Sequence, residues 1–404
     1  MNRSPIMFVA GGCLLFGISM GIRMNFGILL NAYADYAGLP YGGVSLVVAI
    51  GELTYGLAQP LFGMLAIRRS NAFVLKLGLC LLAAGLVSSA FVRSLPLLVM
   101  TLGICLSAGT GAVCFGIVMG AISPFIMPSK AAVISGIVNA SSGIGISVMS
   151  PLMSSLLSSM GITKAMLTLG LPILTLLPVV WWIETANHDR GGTGIKASPN
   201  GHVPTDGHRA PLLTVAAAIR CRTYQYLMIG FTTCGFHMSL IQNHLFSWMV
   251  SYGIDRRMAT FAYTMFGIGT MAGAFLCGLI CSRAALKNVL GSLYLARTVI
   301  VVIFLVLLPK NMITVTVFAI ALGLTGDATV TPTSEIISHR FGAANMALLF
   351  GLTFICHQIG AFLGTWLTGV LLDATGSYLL MWMVDVVLAV LAAIASYRIS
   401  VSRH

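Results

Sequence analysis

Charge is scarce in this chain. Charged side chains are 8% of its 404 residues and apolar ones 58%, where an average soluble domain carries roughly 25% charged residues. The mean hydropathy is +0.97. A soluble fold of this length cannot hide so much apolar surface and keep a polar skin. Soluble classes are therefore excluded, and the chain reads as an all-α integral membrane protein in contact with lipid. Acidic groups are the scarcest. Ten Asp and Glu face 22 Lys and Arg, for a formal charge of +12. Most of the basic residues sit in short loops, where they act as topology signals, and no nucleic-acid partner is expected.

Catalytic patterns are missing as well. The nine cysteines contain no Cys-x-x-Cys, and nearly all lie in apolar stretches as small packing residues. Cys277 and Cys281 stand four apart on one helix, a spacing that does not suit a disulfide. There is no His-x4-Asp, no acidic metal cluster and no glycine-rich nucleotide loop, and no Cys–His pair is expected at one depth. A membrane acyl- or phosphotransferase loses its support, and ATP is not the expected energy source. No catalytic residue, metal or cofactor is expected. The apolar run after Arg3, from Ile6 to about Asn31, is too long for a signal-peptide core and ends in no cleavage pattern. It reads as the first membrane helix.

What is present is a succession of apolar segments. A span needs about 20 such residues, and turn residues with charges divide the chain into twelve: 6–31, 43–66, 72–92, 96–122, 130–158, 163–183, 223–250, 257–281, 287–308, 311–338, 343–371 and 378–397. Between the sixth and seventh lies "ETANHDRGGTGIKASPNGHVPTDGHRAP", polar and without helical period. The expected organisation is a bundle over 1–183, a cytoplasmic linker over 184–222 and a second bundle over 223–404. The linker histidines His188, His202 and His208 have no metal-site spacing.

With the N-terminus inside, fifteen Lys and Arg fall on the cytoplasmic side and five outside, leaving only Arg23 and Arg297. The positive-inside rule then puts both termini and the linker in the cytoplasm. The halves also repeat. An offset of 215 carries Gly63 to Gly278, Arg68 to Arg283, Gly111 to Gly326, Gly136 to Gly351, Gly145 to Gly360 and Gly161 to Gly376. Six spans per copy is an even number, so the repeat is parallel.

These features resemble the major facilitator superfamily, over the whole chain. The loop "GMLAIRRSN" (63–71) is similar to that superfamily's motif after span two, with Gly63, Arg68 and Arg69 in place as gating-loop residues and Ile67 where an aspartate is usual. Four stretches resemble bacterial relatives of the monocarboxylate porter and oxalate–formate antiporter branch. They are "MNFGILLNAYADYAGLPYGGVSL", "CGFHMSLIQNHLFSWMVSYGI", "GSLYLARTVIVVIF" and "FGLTFICHQIGAFLGTWLTGVLLDATGSY". Span eight, "FAYTMFGIGTMAGAFLCG", lacks the charged pair of the mammalian porters. Span five, "SSGIGISVMSPL", has Gly145 but lacks the glycine–proline motif of drug/proton antiporters. The resemblance implies two six-helix bundles, a substrate cavity lined in part by span seven, and outer support from spans three, six, nine and twelve.

Seven titratable groups near mid-depth form the candidate site. Arg23 lies about ten residues below the outer end of span one and Glu52 about nine residues into span two, so at ~1.5 Å per residue both are ~15 Å deep and able to pair. Arg23 reads either as half of a structural ion pair or as the contact for a substrate carboxylate, which its planar fork suits. Glu52 would be its resting partner or a proton acceptor. Arg297, also near mid-depth, is a second candidate anion contact, or a structural residue paired with Asp385 or Asp327. His237 and His357 are candidates for binding substrate or carrying a proton, and His244, nearer the outer end, for a structural role. Asp327, near Pro332 in "GLTGDATVTPTSE", and Asp385 are candidates for proton coupling or ion pairing, and Glu335 for a gate or surface charge.

The expected function is secondary active transport of small organic anions, monocarboxylates above all, by alternating access, driven by protons or by anion exchange. The expected setting is a monomer in the inner membrane. The rivals are an exporter of apolar drugs, in which Arg23 is structural, and a sensor with a transporter fold.

Overall fold

The computed structural model describes residues 5–127, 130–189 and 215–400. The linker histidines His202 and His208 lie outside the described residues, as does the side chain of His188. All regular elements among the described residues are helical. The chain divides into two compact units, 1–203 and 204–404.

In the N-terminal unit the helices are α1 (Pro5–Arg23), α2 (Phe26–Ala37), α3 (Tyr41–Arg68), α4 (Asn71–Ser89), α5 (Leu95–Leu98), α6 (Ser107–Ala112), α7 (Phe115–Ile122), α8 (Ala131–Gly170) and α9 (Leu177–Asp189). The C-terminal unit holds α10 (Val215–Arg220), α11 (Arg222–Ser239), α12 (Leu245–Ser251), α13 (Arg256–Cys281), α14 (Leu286–Val306), α15 (Met312–Thr325), α16 (Val330–Phe341), α17 (Ala343–Thr375) and α18 (Leu379–Tyr397). Ten stretches among the described residues are long and apolar enough to cross a membrane. One of them, 55 residues over 133–187, takes in nearly all of the fifth expected span and the whole of the sixth, turned at Gly161 with φ 72° and ψ 176°. The expected seventh span is not among the ten. It runs through α11, a π-helical turn Leu240–His244, and α12, and it carries Thr, Cys, His, Gln and Asn side chains.

Large apolar side chains cover the outside of these helices. Trp181, Phe275, Val306 and Ile313 are each more than 60% exposed. Patches of that kind are rare on soluble monomers and are the natural surface of a protein whose solvent is hydrocarbon. The polar residues go inward. His237, Asp385, Arg297, Glu52 and Arg23 are all buried.

The 215-residue repeat is visible in the backbone. The α1–α2 interruption at Met24–Asn25 corresponds to Ser239–Leu240, where α11 gives way to the π turn. The break between α6 and α7 at Val113–Cys114 corresponds to Ala328–Thr329, inside the 3-10 turn Asp327–Thr329 that interrupts span ten. Gly38 and Gly253, another pair at that offset, both take positive φ, 63° and 80°, at the turn before the next helix.

Packing repeats too: α1 lies on α8 and α11 on α17. A Cβ on Gly145 would collide with the carbonyl of Gly17, and one on Gly360 with the carbonyl of Thr232, again the same offset. Small residues at these crossings let the backbones approach, the main source of helix–helix attraction where solvent is itself apolar. Gly360→Ala is accordingly expected to cost about 1–3 kcal/mol, the range for overpacking, read as a lower melting temperature by tryptophan fluorescence in detergent. Gly136→Ala, with open space around it, should leave the melt unchanged.

Candidate functional site

In the N-terminal unit the site is built on the interruption of span one. The side chain of Asn25 turns back and donates Nδ2 to the carbonyl of Gly21 at 2.6 Å, with a longer contact to Ile146 of α8 at 3.3 Å. Asparagine competes in this way with the backbone ladder and disfavours helix interiors. Arg23 is thereby the last residue of α1 rather than mid-helix. Its Nη2 ion-pairs with Oε2 of Glu52 on α3. Its guanidinium carbon lies 3.9 Å from the centroid of the Tyr55 ring, and Nη1 approaches the Met24 sulfur at 3.5 Å. Tyr55 is three residues after Glu52, so one face of α3 supplies both the anion and the aromatic plate. Both charged residues belong to this unit, at 6% and 3% exposure. Arginine has five N–H donors, and among the described residues its charged partner is the Glu52 carboxylate.

The C-terminal unit holds a second cluster. His237 Nδ1 and Asp385 Oδ2 are 2.7 Å apart, with both residues at 1% exposure or less. Arg297 takes a different set of partners. Its Nη2 donates to the carbonyls of Thr325 at 2.6 Å and Gly326 at 2.5 Å, and its Nη1 to the Cys234 sulfur at 3.3 Å. The reason lies in α15, which stops at Thr325, so its last carbonyls have no intrahelical donor and carry the negative end of the helix dipole. The guanidinium replaces those donors. Tyr294 lies beside it, 5.3 Å from ring centroid to guanidinium carbon, and donates to the Gly230 carbonyl at 2.7 Å. Arg297 remains within electrostatic reach of Asp385, but the hydrogen bond to that carboxylate comes from His237. Arg297 Nε, Asp385 Oδ1 and His237 Nε2 have no partner among the described residues.

Residues 11–365 match the Major Facilitator Superfamily. The chain belongs to this superfamily. It is thus a multi-pass membrane transporter of a small molecule, not an enzyme. It is similar to monocarboxylate transporter 12 of Xenopus laevis, 23% identical over 390 residues that cover 92% of this chain and 83% of the relative. The human protein of that name is 21% identical over 392 residues, covering 92% and 76%. The uncharacterized MFS-type transporter YcxA of Bacillus subtilis (strain 168) is 28% identical over 178 residues, 43% of each chain. Among solved structures, a bacterial homolog of the human lysosomal transporter Spinster, inward-facing and unoccupied, matches with TM-score 0.73 and 16% identity over 98% of this chain and 97% of that one. That likeness is one of fold.

The remaining expected residues of this major facilitator are scattered. His357 is half-buried, bonded through Nδ1 to Gln358 Oε1 at 2.8 Å and stacked on Phe354. Cys234 lies in contact with His357 as well as with Thr329 at 3.1 Å. A Cys–His pair at one depth therefore exists, against the expectation from the sequence, because α11 and α17 cross there at Gly360. Nothing in either segment alone shows that crossing. His244 is spent on the Thr365 carbonyl at 2.9 Å. Asp327 is half-buried in the 3-10 turn, and Glu335 is half-buried on α16. In the loop motif, Arg68 ends α3 and Ser70 caps α4, accepting from Phe73 N at 3.0 Å. Both Arg68 and Arg69 are exposed, and Gly63 has open space around it. Asn25, Tyr55 and Cys234 were not expected at the site. Tyr55 was legible as the i+3 neighbour of Glu52, and Asn25 as a helix-disfavouring residue inside an apolar span.

Proposed function

We propose that this major facilitator carries small monocarboxylates by alternating access, driven by a proton or by exchange for a second anion. The observation that carries the reading is the Arg23–Glu52 pair. A guanidinium buried at a helix break has as its main partner a group of the substrate's own chemistry. A substrate carboxylate can take the place of Glu52, whereas at Arg297 it would have to draw the guanidinium away from carbonyls at the end of α15 that would be left without a donor. By the same argument Arg297, engaged with the end of α15, belongs to the framework. His237 with Asp385 is the proton-carrying dyad, its unpartnered Nε2 and Oδ1 being the routes for exchange. His357, half-buried and polar, is the proposed second substrate contact, and Asp327 a proton acceptor near the break of span ten. Gly63, Arg68 and Arg69 form the gating loop.

Twelve crossings in an inner membrane are part of the same proposal, and the fifteen-to-five bias of basic residues supports termini and linker on the cytoplasmic side. The similarity to proteins named monocarboxylate transporters over 92% of the chain agrees with the substrate class. Proteoliposomes offered labelled lactate, pyruvate, formate and oxalate, with and without an inward proton gradient, test it. At least one acid is expected to accumulate and to be competed by the others. Indifference to all four overturns the reading.

A further inference from the structure

The repeat leaves the two units with different charge at one seam. In the N-terminal unit, α4 and α9 are tied by Lys76 and Glu184, whose Nζ and Oε2 lie 2.8 Å apart. The offset of 215 carries α4 onto α14 and α9 onto the last turns of α18. It carries Lys76 to Gly291 and Glu184 to Ile399, so the ion pair is lost. In its place the Tyr397 ring covers Gly291, where an added Cβ would lie 2.7 Å from that ring, and the Tyr397 and Ser292 hydroxyls are hydrogen-bonded at 3.0 Å. Basic side chains remain. Lys287 is one turn before Gly291 on α14, Arg283 stands in the turn leading into that helix, and Arg398 follows Tyr397 at the end of α18. Arg283 and Arg398 are exposed and Lys287 is half-buried. None of these three side chains has an ion-pair or hydrogen-bond partner among the described residues. No Asp or Glu occurs in α14, and the one in α18, Asp385, is twelve residues before Tyr397, ~18 Å along the helix.

From this end an apolar strip runs along the seam. Leu295 and Val299 on α14, and Ile394, Leu391 and Val387 on α18, recur at helical spacing from Gly291 and Tyr397 and are all exposed. Hydrocarbon covers such a surface anywhere on the protein. What sets this strip apart is its end, where two hydroxyls and three uncompensated cations gather around a tyrosine, a residue that favours the membrane–water interface. We infer that the α14–α18 seam is a binding site for an anionic phospholipid. Its phosphate takes Lys287 and Arg398 as counter-charges and a hydroxyl of the Tyr397–Ser292 pair as donor, and its acyl chains lie along the strip. Basic pockets between spanning helices match anionic headgroups in this way. In the N-terminal unit Glu184 supplies the anion from within the chain, so the corresponding seam does not call for a lipid. This site is independent of the anion-transport reading.

The test uses full-length protein, stripped of lipid in detergent and offered phosphatidylglycerol or phosphatidylcholine with matched acyl chains. Bound lipid is counted by native mass spectrometry. Retention of phosphatidylglycerol is expected at a lipid concentration roughly tenfold or more below that needed for phosphatidylcholine, as two basic side chains beside an anionic headgroup predict. The preference should vanish in Lys287→Gln with Arg398→Gln. It should persist in Arg256→Gln with Arg257→Gln, which removes two exposed basic residues from the far end of α13. Phosphatidylglycerol should also raise the melting temperature of the unaltered chain and not that of the Lys287–Arg398 variant. Should that variant fail to fold, Arg398→Glu decides the same point, because it restores an internal acid beside Lys287 and is expected to abolish the preference. Equal retention of the two lipids by the unaltered chain, or a preference that outlives these substitutions, overturns the site. Displacement of the lipid by millimolar inorganic phosphate overturns its assignment to a lipid. None of these readouts depends on which solute is carried.

Discussion

The double variant Arg23→Met with Glu52→Met is expected to fold with near-normal stability and to lose transport. Removing one partner of a buried pair strands the other charge and costs about 3–5 kcal/mol, whereas replacing both by apolar groups of similar volume is often neutral. Glu52→Ala alone should therefore lower the melting temperature sharply, and the double variant should recover it. Transport separates structure from function. If Arg23 holds the substrate acid through charge-assisted hydrogen bonds worth about 1.5–3 kcal/mol, the refolded double variant falls by up to about a hundredfold in initial uptake, at 1.4 kcal/mol per factor of ten. Arg23→Lys retains the charge but not the planar fork, and should fall by about tenfold on the same scale. Labelled uptake in proteoliposomes, with melting curves on the same preparations, gives both numbers. A double variant that melts and transports like the original protein would make the pair framework alone, and the anion reading would be lost.

The second large effect concerns Asp385. Asp385→Asn keeps the volume of the side chain and an oxygen that can accept from His237 Nδ1, but it removes the charge. If the dyad carries the coupled proton, the stimulation of uptake by an inward proton gradient disappears in this variant, while exchange of labelled for unlabelled substrate at equal pH continues. His237→Gln should behave alike. Arg297 on α14 lies within electrostatic reach of Asp385 and bonds the Cys234 thiol on α11, and His357 on α17 contacts that same thiol. Arg297→Lys is the control, because it retains the cation near Asp385 while weakening the grip on the Thr325 and Gly326 carbonyls. A framework residue predicts loss of stability there with gradient stimulation intact. If Asp385→Asn abolishes exchange and gradient-driven uptake equally, the dyad acts in folding or substrate binding and carries no coupled proton.

Much of the architecture is legible in the sequence alone. Hydropathy and the near absence of charge set the membrane class, since no aqueous fold could hide that surface. The offset of 215 residues appeared first as recurrent glycines, and it returns in the structure as matched helix breaks, matched positive-φ turns and matched close crossings. The common depth of Arg23 and Glu52 followed from counting residues in from the ends of two adjacent antiparallel spans. Helix rise is constant, so depth is a property that a linear sequence carries.

Rotation about a helix axis is not such a property. In α3, α4 and α17 the apolar residues occupy every side, so no periodicity says which face meets which neighbour. The choice among partners for Asp385 rested on that rotation, and packing brought it to His237 at 2.7 Å. Arg297 could not be assigned from sequence either. Its partners are backbone carbonyls freed where α15 stops, and neither the break nor the approach of α14 to it leaves a side-chain signature. Composition and spacing thus determined the solvent, the repeat and the depth of each charge. Tertiary packing alone decided which buried polar group answers which, because in a low-dielectric interior each must be met by whatever donor or acceptor the neighbouring helix turns toward it.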